Sequence, residues 1–192
     1  MHSSDGTELY RAFIALELTP AGRRVAVAIQ EELRRSSAKV RWVEPANLHV
    51  TLKFLGDAEP AALERLADRL SETLQGTPRV PLTVAGAGAF PSASRPRVVW
   101  AGLREQEELG KLHSLAEAAA VACGFPPEDR PFRAHLTLGR VKWAGDLPVA
   151  LGVPALGEYR SETQPAHSVA LFRSQLTRGG AVYSARYKVE LV

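Results

Sequence analysis

Two strings share one pattern: His49-Val50-Thr51-Leu52 and His135-Leu136-Thr137-Leu138. Each lies in an apolar run that predicts a β-strand, in which alternate side chains point to the same face. A histidine and a threonine two residues apart therefore share a face, roughly 6 to 7 Å from each other along the strand. Two such strands side by side would surround one pocket with two imidazoles and two hydroxyls.

The two strings belong to an internal repeat, because 86 residues separate position 49 from position 135. The same shift lays the apolar segment 13–16 over 99–102, and it lays the helix start near Pro20 over the one near Gln106. Strand, helix and motif strand thus recur in one order, which indicates a duplicated unit. Packing about a pseudo-twofold axis would make the two histidines face each other across a cleft.

Periodicity and turn residues predict the remaining elements. Alternating or continuous apolar runs predict strands, and apolar residues at spacings of three and four predict helices. The predicted strands are 9–18, 40–43, 48–55, 80–90, 98–103, 132–141, 168–175 and 182–191, and the predicted helices are 20–36, 60–75 and 106–123. The mixture predicts an α+β fold. With no linker in evidence, we expect one domain over residues 1–192.

Composition narrows the class of protein. The chain has 192 residues, of which 45% are hydrophobic and 23% are charged, as in ordinary globular proteins. No apolar run reaches the roughly 18 to 20 residues that cross a bilayer, and the start lacks the features of a signal peptide. Cys123 is the only cysteine, which fits a reducing compartment. We therefore expect a cytoplasmic protein that is not membrane-bound.

Charge is compatible with an anionic ligand. The formal net charge is +3, and arginine supplies most of the positive charge. A guanidinium pairs well with phosphate, so a polyanion is a plausible partner. The arginine-rich composition common in small proteins of high-GC genomes explains the same charge nearly as well.

The two motifs suit acid and base catalysis on a phosphodiester. One neutral and one protonated histidine, on opposite sides of phosphorus, would deprotonate a water and protonate the leaving oxygen. The hydroxyls of Thr51 and Thr137 would donate hydrogen bonds to the non-bridging oxygens. This chemistry needs no metal, so His49 and His135 are the candidate catalytic residues.

Neighbouring residues are candidate contacts to the substrate. In regular strands Lys53 shares a face with His49, and Arg133 shares a face with His135. Arg140 lies near a strand end, where alternation can fail. Phe132 and Tyr183 are candidates for stacking on a base, as are Trp42, Phe54 and Trp143. The competing interpretation is solvated charge for the cations and core packing for the rings.

A metal site is the main alternative for the paired histidines. The sequence has no His-Glu-x-x-His, no clustered cysteines and no carboxylate within two residues of either motif histidine. We therefore expect neither a metal nor another cofactor.

At these residues the chain resembles a known superfamily. Residues 49–56 and 131–140 resemble the paired His-x-Thr-x motifs of the two-histidine phosphoesterases. Residues 11–16, 42–48, 88–91 and 97–102 extend the likeness over nearly the whole chain. Within the superfamily they are most similar to the bacterial and archaeal RNA 2',3'-cyclic phosphodiesterases, also called 2'-5' RNA ligases.

The resemblance implies a bilobal α+β fold, in which two antiparallel sheets line a central cleft and helices lie outside. It also implies that a monomer hydrolyses RNA 2',3'-cyclic phosphate ends to 2'-phosphates without a metal. In the family pattern His49 donates a proton to the leaving 3' oxygen and His135 accepts one from water. The residues alone do not assign these roles, because the two motifs are nearly identical.

Three other functions fit the same residues. Two are enzymatic: joining RNA ends through a 2'-5' bond, and hydrolysis of a small cyclic nucleotide. The third is a module that binds RNA ends without turnover. Retention of both histidines and both threonines favours catalysis over such a module.

Overall fold

The computed structural model describes residues 8–177 and 180–192. Its fold is α+β, as predicted. The strands and helices, in chain order within each kind, are β1 (Tyr10–Glu17), β2 (Lys39–Trp42), β3 (His49–Ala58), β4 (Val80–Leu82), β5 (Val84–Ser92), β6 (Arg95–Leu103), β7 (His135–Trp143), β8 (Gln164–Ala166), β9 (Ser168–Thr177) and β10 (Gly180–Glu190), with α1 (Pro20–Leu33), α2 (Pro60–Leu74), α3 (Gln106–Ala122) and α4 (Leu147–Leu151).

Two four-stranded antiparallel sheets organise the described residues. The first has the order β10-β9-β1-β3, and the second has the order β2-β7-β6-β5. The short β4 and β8 form a separate pair. Each motif strand lies beside the first strand of its own repeat, β3 beside β1 and β7 beside β6. The motif strands therefore belong to different sheets.

The two sheets meet along the motif strands. β3 is an edge strand of the first sheet, and it contacts β7 of the second sheet. β2 pairs only with residues 139–143 of β7, so the motif half of β7 is not covered by it. The two motif strands therefore contact each other at the junction of the sheets.

The helices pack across the repeats. α1 begins at Pro20 after Thr19, whose side chain accepts a hydrogen bond from the amide of Gly22. Although α1 follows β1 of the first sheet, it contacts β5 and β7 of the second. α3 follows β6 of the second sheet and contacts β3 of the first. The helix of each repeat thus supports the motif strand of the other repeat.

A β-bulge interrupts both motif strands at the same place. Thr51 and Lys53 pair with adjacent residues of β1, so Leu52 is the extra residue. Thr137 and Gly139 likewise pair with adjacent residues of β6, so Leu138 is extra. A bulge reverses which face the following residues occupy. This reversal decides which neighbours of the histidines share their face.

Three details of the sequence prediction need correction. The predicted strand 80–90 is two strands, because the Glu105 carboxylate binds the amide and hydroxyl of Thr83 between them. β8 and the short helix α4 were not predicted. Relative to the motifs, Phe13 corresponds to Val98 rather than to Val99. The two repeats therefore differ by one residue between their first strand and their motif.

Candidate active site

His49 and Thr51 share one face of β3, and His135 and Thr137 share one face of β7. All four side chains are partly buried, whereas the apolar residues between them are fully buried on the opposite face. The alternation predicted for both motifs is therefore present. The two strands that carry these faces, β3 and β7, contact each other.

Both histidine rings are held by the same backbone contact. His49 Nδ1 lies 2.7 Å from the Asn47 carbonyl oxygen, and His135 Nδ1 lies 2.7 Å from the Arg133 carbonyl oxygen. A carbonyl only accepts hydrogen bonds, so Nδ1 carries the proton in each ring. In the neutral state Nε2 is then the basic nitrogen, and in the charged state it can donate a proton. Nε2 is thus the reactive atom of both residues.

His49 lies among aromatic side chains of the first sheet. Its ring stacks on Phe13 with centroids 4.7 Å apart, and the edge contact to Tyr183 is 5.3 Å. Phe172 stacks on the other side of Phe13 at 5.2 Å. Burial lowers the pKa of His49 below the ordinary imidazole value, and the hydrogen bond to Asn47 opposes part of this shift. The neutral form of His49 is therefore favoured.

Thr51 contacts the reactive nitrogen of His49 directly. Its Oγ1 lies 3.0 Å from Nε2. Since Nδ1 holds the ring proton, the hydroxyl donates and Nε2 accepts in the neutral state. No matching bond between Thr137 and His135 occurs within residues 8–177 and 180–192.

His135 has a different environment. The edge of its ring meets Phe90 with centroids 5.0 Å apart, and Phe90 in turn contacts Trp100 at 5.4 Å. The preceding residue, Ala134, is fixed by Gln106, whose side-chain amide bonds both its amide and its carbonyl. The backbone that carries His135 is therefore anchored to the start of α3.

The prediction that Lys53 shares the face of His49 is wrong. The bulge at Leu52 pairs Lys53 with Ile14, whose side chain is in the core. Lys53 is 3% exposed, and its Nζ lies 2.9 Å from a Glu117 carboxylate oxygen and 2.7 Å from the Pro126 carbonyl oxygen. Lys53 therefore holds α3 and the following loop against β3 rather than contacting a phosphate.

Glu117 keeps its negative charge in this pair. Burial acts to raise the pKa of Glu117, but hydrogen bonds from Lys53 and from the Glu128 amide outweigh burial. The pKa of Glu117 consequently lies below its ordinary value.

Phe132, a candidate for stacking on a base, packs against α3. Its ring stacks on His113 of α3, with centroids 4.2 Å apart and planes within 3° of parallel. His113 Nδ1 in turn donates to the Leu52 carbonyl oxygen at 2.8 Å. Phe132 therefore packs on the helix side of β3, away from the face of His49.

The remaining predicted contacts have mixed positions. Tyr183 lies against His49, as described above. Arg140 pairs with Val98 while Thr137 pairs with Trp100, so the bulge brings Arg140 onto the face of Thr137. Arg140 and Arg133 are both exposed. Their contact with a substrate stays a prediction.

Three aromatic residues at the site were missed by the sequence reasoning, whereas Phe54 was a candidate for stacking on a base whose face was not predicted. Phe54 takes the position at which Lys53 was expected, since it pairs with Phe13 on the histidine face, and it is 61% exposed. Phe13, Phe172 and Phe90 contact the motif histidines or their aromatic neighbours. The repeat offers one sequence signal for the position of Phe54, because Phe54 and Arg140 each follow their motif histidine by five residues.

Each bulge is stabilised by a polar side chain of the helix that packs on it. His113 of α3 donates to the Leu52 carbonyl, and Gln30 of α1 donates to the Leu138 carbonyl at 2.9 Å. Gln30 also donates to the Val43 carbonyl at 2.8 Å. The Leu138 carbonyl also accepts from the Val43 amide at 2.8 Å, so Gln30 adds a second hydrogen bond there, whereas His113 binds the carbonyl of the bulged residue Leu52.

Two negative observations apply to the part of the chain that the structure describes. No three His, Cys, Asp or Glu side chains there cluster as a metal-binding group. No helix there is long and apolar enough to cross a bilayer.

Comparison with known proteins gives matches over most of the chain. A family model described as LigT like Phosphoesterase matches residues 16–100 and 102–183, which include both motif strands. Two relatives are named RNA 2',3'-cyclic phosphodiesterase. The protein from Methanothermobacter thermautotrophicus is 36% identical over 91% of this chain and 95% of its own length. The protein from Archaeoglobus fulgidus is 38% identical over 90% of this chain and 96% of its own length. The crystal structure of E. coli LigT complexed with 3'-AMP has a TM-score of 0.76 at 25% identity, and the match covers 96% of this chain and 99% of that one.

Proposed function

The chain belongs to the LigT-like phosphoesterase family, and from that premise we propose that it is an RNA 2',3'-cyclic phosphodiesterase. Its substrate is an RNA whose last nucleotide carries a 2',3'-cyclic phosphate. Its product is the RNA 2'-phosphate with a free 3' hydroxyl. No metal takes part in this proposal, because two histidines suffice for both proton transfers.

The observation that carries the proposal is the common orientation of the two imidazoles. Each has its Nδ1 proton bound to a backbone carbonyl two residues earlier, at 2.7 Å, which leaves Nε2 for the substrate. A proton donor and a proton acceptor of this kind are needed on the two sides of phosphorus for in-line displacement. His49 and His135 have matching anchors, so both are proposed as catalytic.

In the proposed reaction a water oxygen attacks phosphorus and the bond from phosphorus to the 3' oxygen breaks. His135 Nε2 takes the proton of the water, and His49 Nε2 gives its proton to the departing 3' oxygen. Thr51 and Thr137 donate hydrogen bonds to the non-bridging oxygens, where negative charge accumulates. Arg140 adds a positive charge on the face of Thr137.

The lowered pKa of His49 is compatible with its role as the donor. Burial favours the neutral imidazole in the free chain. The bound phosphate is an anion, and an opposite charge close to an imidazole raises its pKa. We infer that His49 takes up its proton together with the substrate.

The aromatic surroundings of His49 support a nucleotide as the ligand. Phe54 is 61% exposed on the face of the histidine, and Tyr183 lies at the same face. Bases stack on exposed aromatic rings with little dependence on sequence. The proposal therefore includes stacking of the terminal base on the first sheet.

We also propose that the enzyme acts as a monomer in the cytoplasm. Both histidines and both threonines come from one chain, and its single cysteine, Cys123, is free. Sedimentation of the purified protein tests the first part, and fractionation of cells tests the second.

The test is incubation with an oligoribonucleotide that ends in a 2',3'-cyclic phosphate, in the presence of a chelator. We expect conversion to the 2'-phosphate, identified by phosphorus NMR. The same RNA with a linear 3'-phosphate is the matched control and should not change. A 3'-phosphate product, or activity that the chelator abolishes and zinc restores, would contradict the proposal. Longer RNA on addition of a 5'-hydroxyl RNA would identify end joining instead.

A further inference from the structure

An open depression lies beside His135 on the second sheet. Its lining consists of Phe90, Pro91, Val98 and three arginines, which are Arg95, Arg97 and Arg130. Phe90 connects it to the site, because the same ring contacts His135. Phe90 thus lies between the depression and His135, which is not itself part of the lining.

The three arginines are exposed and unneutralised. Among the described residues, none of their guanidinium groups makes an ion pair or a side-chain hydrogen bond. Glu128 and Asp129 precede Arg130 in the chain, and neither pairs with it within that part of the structure. Because a guanidinium binds phosphate well, free guanidinium groups around one depression favour a polyanion.

Two cations on the first sheet, unlike these arginines, are paired with carboxylates. Arg173 forms an ion pair with Glu8 at 3.2 Å, and Lys188 forms one with Glu17 at 2.6 Å. Their charge is balanced within the protein. Arg95, Arg97 and Arg130 differ from these two cations in having no carboxylate partner among the described residues.

The loop that carries Arg130 is anchored at both ends. Near its start, Lys53 donates to the Pro126 carbonyl oxygen and Glu117 accepts from the Glu128 amide at 2.8 Å. At its end, Gln106 binds both backbone groups of Ala134. Arg130 is therefore presented by a fixed loop, which lowers the entropic cost of binding a ligand.

We propose that the RNA strand on the 5' side of the cyclic phosphate binds across Arg95, Arg97 and Arg130. This inference rests on the proposed function and deepens it: it assigns to the three arginines the RNA phosphates that precede the cyclic end. Binding depends on the phosphates and not on base identity, since arginines that contact phosphate carry no sequence information. The cyclic end reacts between the histidines while preceding phosphates contact the arginines.

The test compares two substrates with the same terminal base. One is a tetranucleotide that ends in a 2',3'-cyclic phosphate, and the other is the nucleoside 2',3'-cyclic monophosphate. The variants are Arg95→Gln with Arg97→Gln, and Arg130→Gln. The matched control is Arg65→Gln with Arg69→Gln on α2, which makes the same change of net charge on an exposed helix. Affinity for the 5'-labelled tetranucleotide is measured in parallel by fluorescence anisotropy.

We expect the tetranucleotide to have the higher kcat/KM and the steeper salt dependence. Two phosphate contacts to a single strand give a loss of about sevenfold between about 50 and 200 mM salt, beyond that of the mononucleotide. The double variant should remove most of this extra dependence and weaken tetranucleotide binding, while kcat/KM for the mononucleotide is unchanged. The α2 variant should behave as the wild type.

Two results would overturn the inference. One is an equal salt dependence for both substrates, and the other is an equal loss in the α2 control. If neither substrate turns over, the proposed function is wrong. The anisotropy measurement still decides the inference then, because arginine-dependent binding would support it and arginine-independent binding would refute it.

Discussion

His49 and His135 occupy equivalent places on strands with the same bulge, yet their surroundings differ. His49 packs among Phe13, Phe172 and Tyr183, and burial lowers its pKa. His135 contacts one ring, Phe90, and adjoins an arginine-lined depression. Five residues past each histidine the same contrast recurs, with Phe54 on one strand and Arg140 on the other. In the proposed mechanism the repeat supplies matched acid and base groups, and we propose that the unlike neighbours bind different parts of the nucleotide, its base on the first sheet and its phosphates on the second.

The largest effect is expected from loss of either imidazole. His49→Ala and His135→Ala should each lower kcat by about 10²-fold to 10⁴-fold, because a positioned acid or base contributes that much. The measurement is turnover of RNA with a cyclic end. His167→Ala is the control, since His167 is exposed outside both motifs. Normal circular dichroism of the variants would exclude unfolding. Near-wild-type turnover in either motif variant would contradict a catalytic role for that histidine.

Loss of a hydroxyl ranks next. Thr51→Val and Thr137→Val should each lower kcat by about 10²-fold, as removal of one donor to a developing negative charge does. The strands tolerate valine, so the fold should persist. Only Thr51→Val should also change the pH dependence, because only Thr51 contacts the Nε2 of its histidine within the described structure. An identical shift of the pH profile in both variants would contradict this asymmetry.

Substitutions of Arg140 and Phe54 should distinguish binding of the phosphate from binding of the base. Arg140→Gln should lower kcat/KM by about 10-fold to 100-fold through loss of a charge-assisted hydrogen bond. Phe54→Leu should raise KM about fivefold and leave kcat unchanged, because stacking on a ring this exposed is at the weak end of its range. Trp143→Leu, an exposed ring at the end of β7, is the control. A loss of kcat in Phe54→Leu would show that its role is not base stacking alone.

The smallest effect is a shift in pH dependence. Since burial lowers the pKa of His49, the limb of the kcat/KM profile that reports His49 should lie below the ordinary imidazole value. Phe13→Leu admits water beside His49, so its pKa should rise and the limb should move to higher pH. Phe90→Leu, beside His135, should leave that limb in place. Proton NMR of the imidazoles in both variants checks that this limb reports His49. A limb that moves in Phe90→Leu and not in Phe13→Leu would contradict that assignment.

The sequence predicted the motifs, their faces and the α+β class, because alternation and the repeat are local patterns. It could not predict the bulges, since an extra residue leaves no periodic mark before the strands are paired. That omission misplaced Lys53 and left the face of Phe54, a candidate for stacking on a base, unpredicted. In regular strands Lys53 would have faced the substrate; with Leu52 bulged, its amine reaches Glu117 in the interior instead.

The groups that orient the histidines were also beyond prediction. Gln30 and His113 bind bulge carbonyls across the repeats, and Phe90 meets His135 from a strand two positions away. These contacts depend on how helices and sheets are exchanged between the halves. Composition and periodicity carry no information on that exchange.

The central claim is that the two motif histidines form one acid and base pair. Its most direct test is single-turnover hydrolysis of a cyclic-ended RNA, in chelator, by the wild type, His49→Ala, His135→Ala and the double variant. We expect the double variant to be no more than a few-fold slower than the slower single variant, since groups that act as a unit are strongly non-additive. Losses that multiply in the double variant would mean that the histidines act independently and would contradict the claim.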